Sequence, residues 1–244
     1  IALLSMIQSL APVHSITVMY HHRNSSEDIQ LEAYLPQVTF IPVNDPKYGA
    51  FKERLLNFFR WKIMIFIKAI KRISTIKKAY FTFDYYLFRI ALSRHLRIKT
   101  YDIIQVELPT MIGLVKYLPV DAVKVYVAHT IIHKMIEQDP LTFGNPEAQN
   151  VSTAAKREEL ELMSKYDGIL TLSEIDKDIL SVEINQPRIF YSPSGVNFSF
   201  FKPRNLPKRY DKIVFLCNMD HHPNEDALFF FFKSIYPHLF ENLQ

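Results

Sequence analysis

Hydrophobic and polar positions along this chain fall into two alternating kinds of segment. Short apolar or β-branched runs recur at residues 14–20, 38–42, 102–106, 123–128, 169–172, 188–191 and 213–216. Runs of this length, bounded by turn formers, are the signature of strands buried on both faces, as in a parallel sheet. Helical patterns lie between them: an apolar-faced segment at 1–10, one or two helices within 79–97, and a charged helix at 152–165 with Lys156, Arg157, Glu158, Glu159 and Glu161 mostly on a solvated face. Residues 21–26 and the turn-former-rich 139–150 read as loops. Ser173 follows the 169–172 run at once, with Asp176 three residues on, a capping pattern that starts a further helix. Pro223 and Asn224 open another after 213–216. Strand, helix, strand in succession predicts an α/β protein with a parallel sheet. Ligands of such sheets sit beyond the carboxyl ends of the strands, and polar and turn residues cluster at those ends here.

Two carboxyl ends carry chemistry. His129 comes directly after the 123–128 run, and Glu107 after the 102–106 run. An imidazole so placed can donate to, or accept from, a substrate hydroxyl; a carboxylate can accept from one. A structural histidine at a strand end and a surface carboxylate fit the same pattern. Ser173 can face the cleft or only cap its helix. Gly195, in the turn Ser192-Pro193-Ser194-Gly195, is expected to supply a special backbone angle. Asn224 stands at a helix N-terminus, where amides can hold an anion or the side chain can simply cap. Asp102 and Asp167 precede strands at the opposite end and read as structural.

The order of residues over 167–224 resembles family 4 glycosyltransferases, which are retaining enzymes of the two-domain GT-B fold. The matching positions are Asp167, Ser173, Pro193, Gly195, Val196, Phe201, Pro203, Phe215, Met219, Pro223 and Asn224. Asn197 stands where the family usually has Asp, and Cys217 where it usually has a glycine that lets backbone approach a phosphate. The resemblance implies a Rossmann-like N-terminal acceptor-binding domain over 1–207, lacking its first strand. It implies the start of a second Rossmann-like, donor-binding domain over 208–244. It also implies sugar transfer from a nucleotide-sugar to a hydroxyl of a glycan or lipid-linked acceptor, with retention. His129 is then catalytic, approaching the donor sugar, and Glu107, Ser173, Gly195 and Asn224 bind substrate. No cofactor and no metal are implied, the nucleotide-sugar being a substrate. The rival expectations are an inert GT-B-like or membrane-surface binding module and a GT-B sugar-nucleotide epimerase.

Composition narrows the classes. At 244 residues, 48% hydrophobic and 22% charged, the chain can bury a sizeable core. Its single cysteine, Cys217, excludes an internal disulfide framework and a cysteine-based zinc site, and fits a reducing, cytoplasmic compartment. The adjacent pairs His21-His22 and His221-His222 are poorly placed to chelate one ion. Glycine-rich dinucleotide, Walker A, His-Glu-x-x-His and Gly-x-Ser-x-Gly motifs are absent from the sequence. The net charge of +4 permits an anionic partner. Within 51–78, Lys68, Lys71 and Arg72 are interleaved with Phe59, Ile63, Phe66 and Ile70. That pattern suits either a helix on the sheet with a basic outer face or a peripheral contact with the inner face of a membrane. A nucleic-acid partner is not expected, since no such module is recognisable. The chain begins without Met and ends inside a helix-like pattern. A piece cut at both ends is therefore expected, inactive alone because the family's paired-glutamate donor motif would follow residue 244.

Overall fold

A computed structural model describes residues 2–22, 25–44, 86–138, 146–185, 188–196, 198, 201–202, 207, 212–219 and 222–241. The basic stretch at 47–78 lies outside the described residues. The chain divides into two compact units, Ile1–Asn197 and Phe198–Gln244. The boundary expected after 207 falls within the second.

The first unit is α/β with two parallel sheets, an arrangement compatible with a Rossmann-like fold. Helix α1 (Ala2–Leu10) leads into β1 (Thr17–His22), and α2 (Ser25–Tyr34) into β2 (Thr39–Asn44). Strands β1 and β2 pair in parallel, Thr17 against Thr39 through His22 against Asn44. His21 and His22, expected in a loop, therefore close β1: the ladder to Val43 and Asn44 keeps them extended. Ile7, Ala11, Leu35 and Val38 form a small core under this pair.

After α3 (Tyr86–His95) comes the larger sheet: β3 (Ile103–Glu107), β4 (Val123–Ala128), β5 (Gly168–Thr171) and β6 (Arg188–Tyr191), all parallel and adjacent in chain order. A 3-10 segment (Pro109–Tyr117) links β3 to β4; α4 (Ile132–Gln138) and α5 (Pro146–Met163) link β4 to β5; α6 (Glu174–Glu183) links β5 to β6. Parallel pairing requires such crossovers, because a hairpin turn cannot return the chain to the same end. Helix α5 starts earlier than the charge pattern suggested, Pro146 being suited to a first helical position, where its missing N–H costs nothing. The expected loop at 139–150 is helical from there on.

The sheet's core contains Val106, Tyr126, Ala128, Ile169, Leu162, Met163, Leu180 and Ile112, all buried. Met19 of β1 packs on it. Asp167 is structural as expected: its Oδ2 accepts the Lys124 amide at 2.8 Å, tying the start of β5 to β4. Two buried tyrosines meet at 5.3 Å between ring centroids. The Tyr166 hydroxyl donates to the Ile112 carbonyl at 2.7 Å. That of Tyr126 has no hydrogen-bond partner among the described residues. Burial pushes both phenols up, Tyr126 further through Glu159, Tyr166 and Glu107. Their stabilising contribution is therefore complete below the ordinary phenol value of about 10 and falls as pH rises beyond it. Tyr166→Phe should cost about 1 kcal/mol by orphaning a carbonyl, whereas Tyr126→Phe should be neutral or stabilising and should blunt alkaline unfolding. Urea midpoints at neutral and alkaline pH check this. Equal losses in the two variants would mean that the Tyr126 hydroxyl has a partner.

In the second unit, α7 (His222–Phe230) continues through a π-helical turn (Phe231–Ile235) into α8 (Tyr236–Glu241). The strand expected at 213–216 is not formed. Ile213, Val214, Phe215 and Leu216 are exposed and have no ladder among the described residues. β-propensity without a paired neighbour leaves backbone groups to water, so the segment stays irregular. Ile213, Phe215, Leu228, Phe231, Phe232 and Tyr236 line a cleft of about 330 Å³ within this unit. No helix among the described residues is long and apolar enough to cross a membrane.

Candidate functional site

Because β3, β4 and β5 are parallel and adjacent, their carboxyl ends share one edge of the sheet. Glu107 closes β3, registered against Val127 of β4. His129 follows two residues later, and side-chain alternation directs both groups to one face. They meet there: His129 Nε2 stands 2.6 Å from Glu107 Oε2, with the side chains 36% and 22% exposed. Gln105, two residues before Glu107 on the same face, donates its amide to Glu107 Oε1 at 2.5 Å. Both carboxylate oxygens are thus engaged, and the carboxylate is aimed at the ring.

The partner chemistry sets the imidazole's tautomer. An ionised carboxylate only accepts, so the proton of a neutral His129 belongs on Nε2. Nδ1 is left with a lone pair and no hydrogen-bond partner among the described residues. A ring oriented by a carboxylate on one nitrogen can act as base or hydrogen-bond acceptor at the other.

The backbone beside the pair is strained. Leu108, between Glu107 and Pro109, has φ 74° and ψ 140°, a region that side chains rarely adopt. Such conformations cost on the order of 1–3 kcal/mol and persist where surrounding structure enforces them. Here the ladder holds Glu107 on one side, and Pro109 opens the 3-10 segment on the other.

Ser173 lies at the same edge, beyond β5. Its side chain caps α6 by accepting the Asp176 amide at 3.0 Å, as the Ser-x-x-Asp pattern indicated. Buried Thr171 fixes the turn by donating to the Ser173 carbonyl at 2.9 Å. Gly195 is exposed in the segment after β6, with open space where a Cβ would stand and no left-handed φ. The special backbone angle expected of it is absent, since this segment runs on without a tight turn. Asn224 is in the first turn of α7 in the second unit and donates to the Asn218 carbonyl at 2.9 Å.

One group escaped the sequence reading. Glu159 of α5, expected on a solvated face, is fully buried. Its Oε1 accepts the Ile132 amide at 2.9 Å, and its Oε2 accepts the His133 amide at 3.0 Å and His133 Nδ1 at 2.7 Å. His133, also fully buried, turns Nε2 toward Glu183 Oε2 at 3.2 Å, within ion-pair range but off hydrogen-bond alignment. Lys156 Nζ pairs with the other Glu183 oxygen. A signal was available: Ser152, Ala155, Glu159, Leu162 and Met163 are buried at helical spacing, so Glu159 occupies a core position of its helix. On the outer side of α4, Lys134 donates to Glu137 at 3.0 Å, a bond that holds the Glu137 carboxyl low and the Lys134 ammonium high. Among the described residues no cluster of His, Cys, Asp and Glu is arranged to hold a metal ion.

The chain is thus an α/β protein with a histidine–carboxylate pair at the carboxyl edge of a parallel sheet. No protein-family model, curated protein or solved structure matches it.

Proposed function

We propose that this chain is part of a retaining glycosyltransferase of the GT-B type, resembling family 4, and supplies the acceptor-side domain of its cleft. The observation that carries this reading is the 2.6 Å His129–Glu107 pair at the carboxyl edge of a parallel sheet, the edge where such sheets generally bind ligands. Its companion is the ordered run of family-like residues from Asp167 to Asn224. The substrate is a nucleotide-sugar, and the acceptor is a hydroxyl of a glycan or lipid-linked carrier. His129 presents Nδ1 to the donor sugar, Glu107 holds the ring, and Ser173 lines the same edge. Transfer proceeds on one face of the sugar. The anomeric carbon–phosphate oxygen bond breaks as the bond to the acceptor oxygen forms, and the acceptor's proton passes to the leaving diphosphate. No protein nucleophile is required.

The complete gene product should be incubated with a panel of uridine and guanosine diphosphate sugars and with glycan and polyprenyl-phosphate acceptors. Retained anomeric configuration in the product supports the reading. Donor binding without turnover favours an inert recognition module, for which Cys217 and Asn197 in place of the family's residues argue. Absence of both binding and turnover sinks the transferase assignment.

A lipid-linked acceptor calls for contact with the inner face of the membrane, and the basic, aromatic sequence at 51–78 has the composition for it. Replacing Lys68, Lys71 and Arg72 by Glu should reduce co-sedimentation with anionic liposomes several-fold at low salt. Unchanged sedimentation would remove the membrane from the proposal.

A further inference from the structure

We propose that Glu159 is a positioning residue for His129, acting through the start of helix α4; its catalytic consequence rests on the role given to His129 above. The first amides of a helix have no partners within it and are ordinarily satisfied by a capping side chain at the preceding position. Here that position is Ile131, which has no side-chain oxygen, and it is buried. The acceptor comes instead from α5: the two oxygens of Glu159 take the amides of Ile132 and His133.

This fixes His129 from both sides. Behind it, Ala128 is paired with Thr171 in the ladder. Ahead of it, the Ile132 amide is bound to Glu159. Only His129, Thr130 and Ile131 span the interval, so the carboxylate of Glu159 sets where the imidazole enters the edge and how it faces Glu107. Glu159 is fixed in turn by His133 Nδ1, and His133 by its proximity to Glu183, which Lys156 holds. The position of His129 is therefore referred to both α5 and α6.

The site calls for a carboxylate specifically. Three N–H donors, two amides and an imidazole, converge on two oxygens. A glutamine of the same shape offers one oxygen and turns an NH2 group against a donor. Because Glu159 and His133 are fully buried, bulk solvent does not relieve that mismatch, and α4 must shift.

The test uses the whole chain labelled with carbon-13 and nitrogen-15 at histidine. Glu107→Gln calibrates how the His129 ring resonances respond to loss of their carboxylate. Glu159→Gln should displace the same resonances, although Glu159 makes no hydrogen bond to His129. If Glu159→Gln does not fold, Ile132→Pro serves: proline is suited to the first helical position and deletes the amide that Glu159 Oε1 receives. Ile132→Ala, which keeps that amide, controls for the packing of the Ile132 side chain on the core. In the complete gene product, Glu159→Gln should lower kcat about 10- to 100-fold with KM within about twofold. In a His129→Ala background the same change should alter kcat by less than about twofold. His129 resonances superimposable on wild type in both variants overturn the proposal, as does an equal rate loss in the His129→Ala background. Displaced resonances in a protein with no transferase activity uphold the positioning role and count against the proposed function alone.

Discussion

Replacing His129 by alanine is expected to lower sugar transfer by about 10²- to 10⁴-fold, the range contributed by a positioned acid–base group. Folding should be almost untouched. The side chain is 36% exposed, and its one hydrogen bond among the described residues is to a carboxylate that water can reach. Glu107→Gln should act in the same direction by a smaller factor. An amide can present its NH2 to Nε2, which forces the proton of the neutral ring onto Nδ1 and removes the lone pair from the substrate side. The two changes together should cost little more than His129→Ala alone, because Glu107 acts through the ring. Initial rates of transfer for the single and double variants, with thermal melts as a folding control, test this. Full turnover in His129→Ala would remove the residue from the mechanism.

The largest stability effect is expected at Glu159. Its carboxylate is fully buried and accepts from two amides and one imidazole. Glu159→Ala strands all three donors in a fully buried site. Breaking a buried pair in this way costs about 3–5 kcal/mol, a large part of the total stability of an ordinary domain. His133→Ala should cost less, because the Glu159 carboxylate keeps its two amide donors. The double variant should be less destabilised than the sum of the singles, since part of each loss is the same lost contact. Urea unfolding gives all three values. A loss below about 1 kcal/mol in Glu159→Ala would mean that α4 recaps itself at little cost.

Strand positions were legible wherever a β-branched run had a neighbour to pair with. Residues 123–128 and 188–191 form strands with the bounds read from the sequence, and the Ser173 cap follows directly from Ser-x-x-Asp. The same reasoning failed at 213–216, where the propensity is equally strong but the ladder is missing. Propensity describes the segment; pairing is a property of what stands beside it. Glu107 and His129 were each visible as strand-end groups, but their contact depends on the register of β3 against β4, which no local pattern encodes. Glu159 was misplaced because a glutamate among Lys156, Arg157, Glu158 and Glu161 looks solvated by composition. Only its phase within the buried stripe of α5 distinguishes it from those neighbours.

The succession β3-β4-β5-β6 also bears on how the protein is made. Parallel sheets generally fold slowly, since distant segments must meet before any ladder can form. In this sheet each strand pairs with the one synthesised just before it. Chain emerging from a ribosome can therefore extend the sheet from one side, one crossover at a time, without waiting for a later strand to insert between earlier ones. The His129–Glu107 contact can close as soon as β4 docks on β3. The arrival of Glu159, a short stretch of synthesis later, would then lock it.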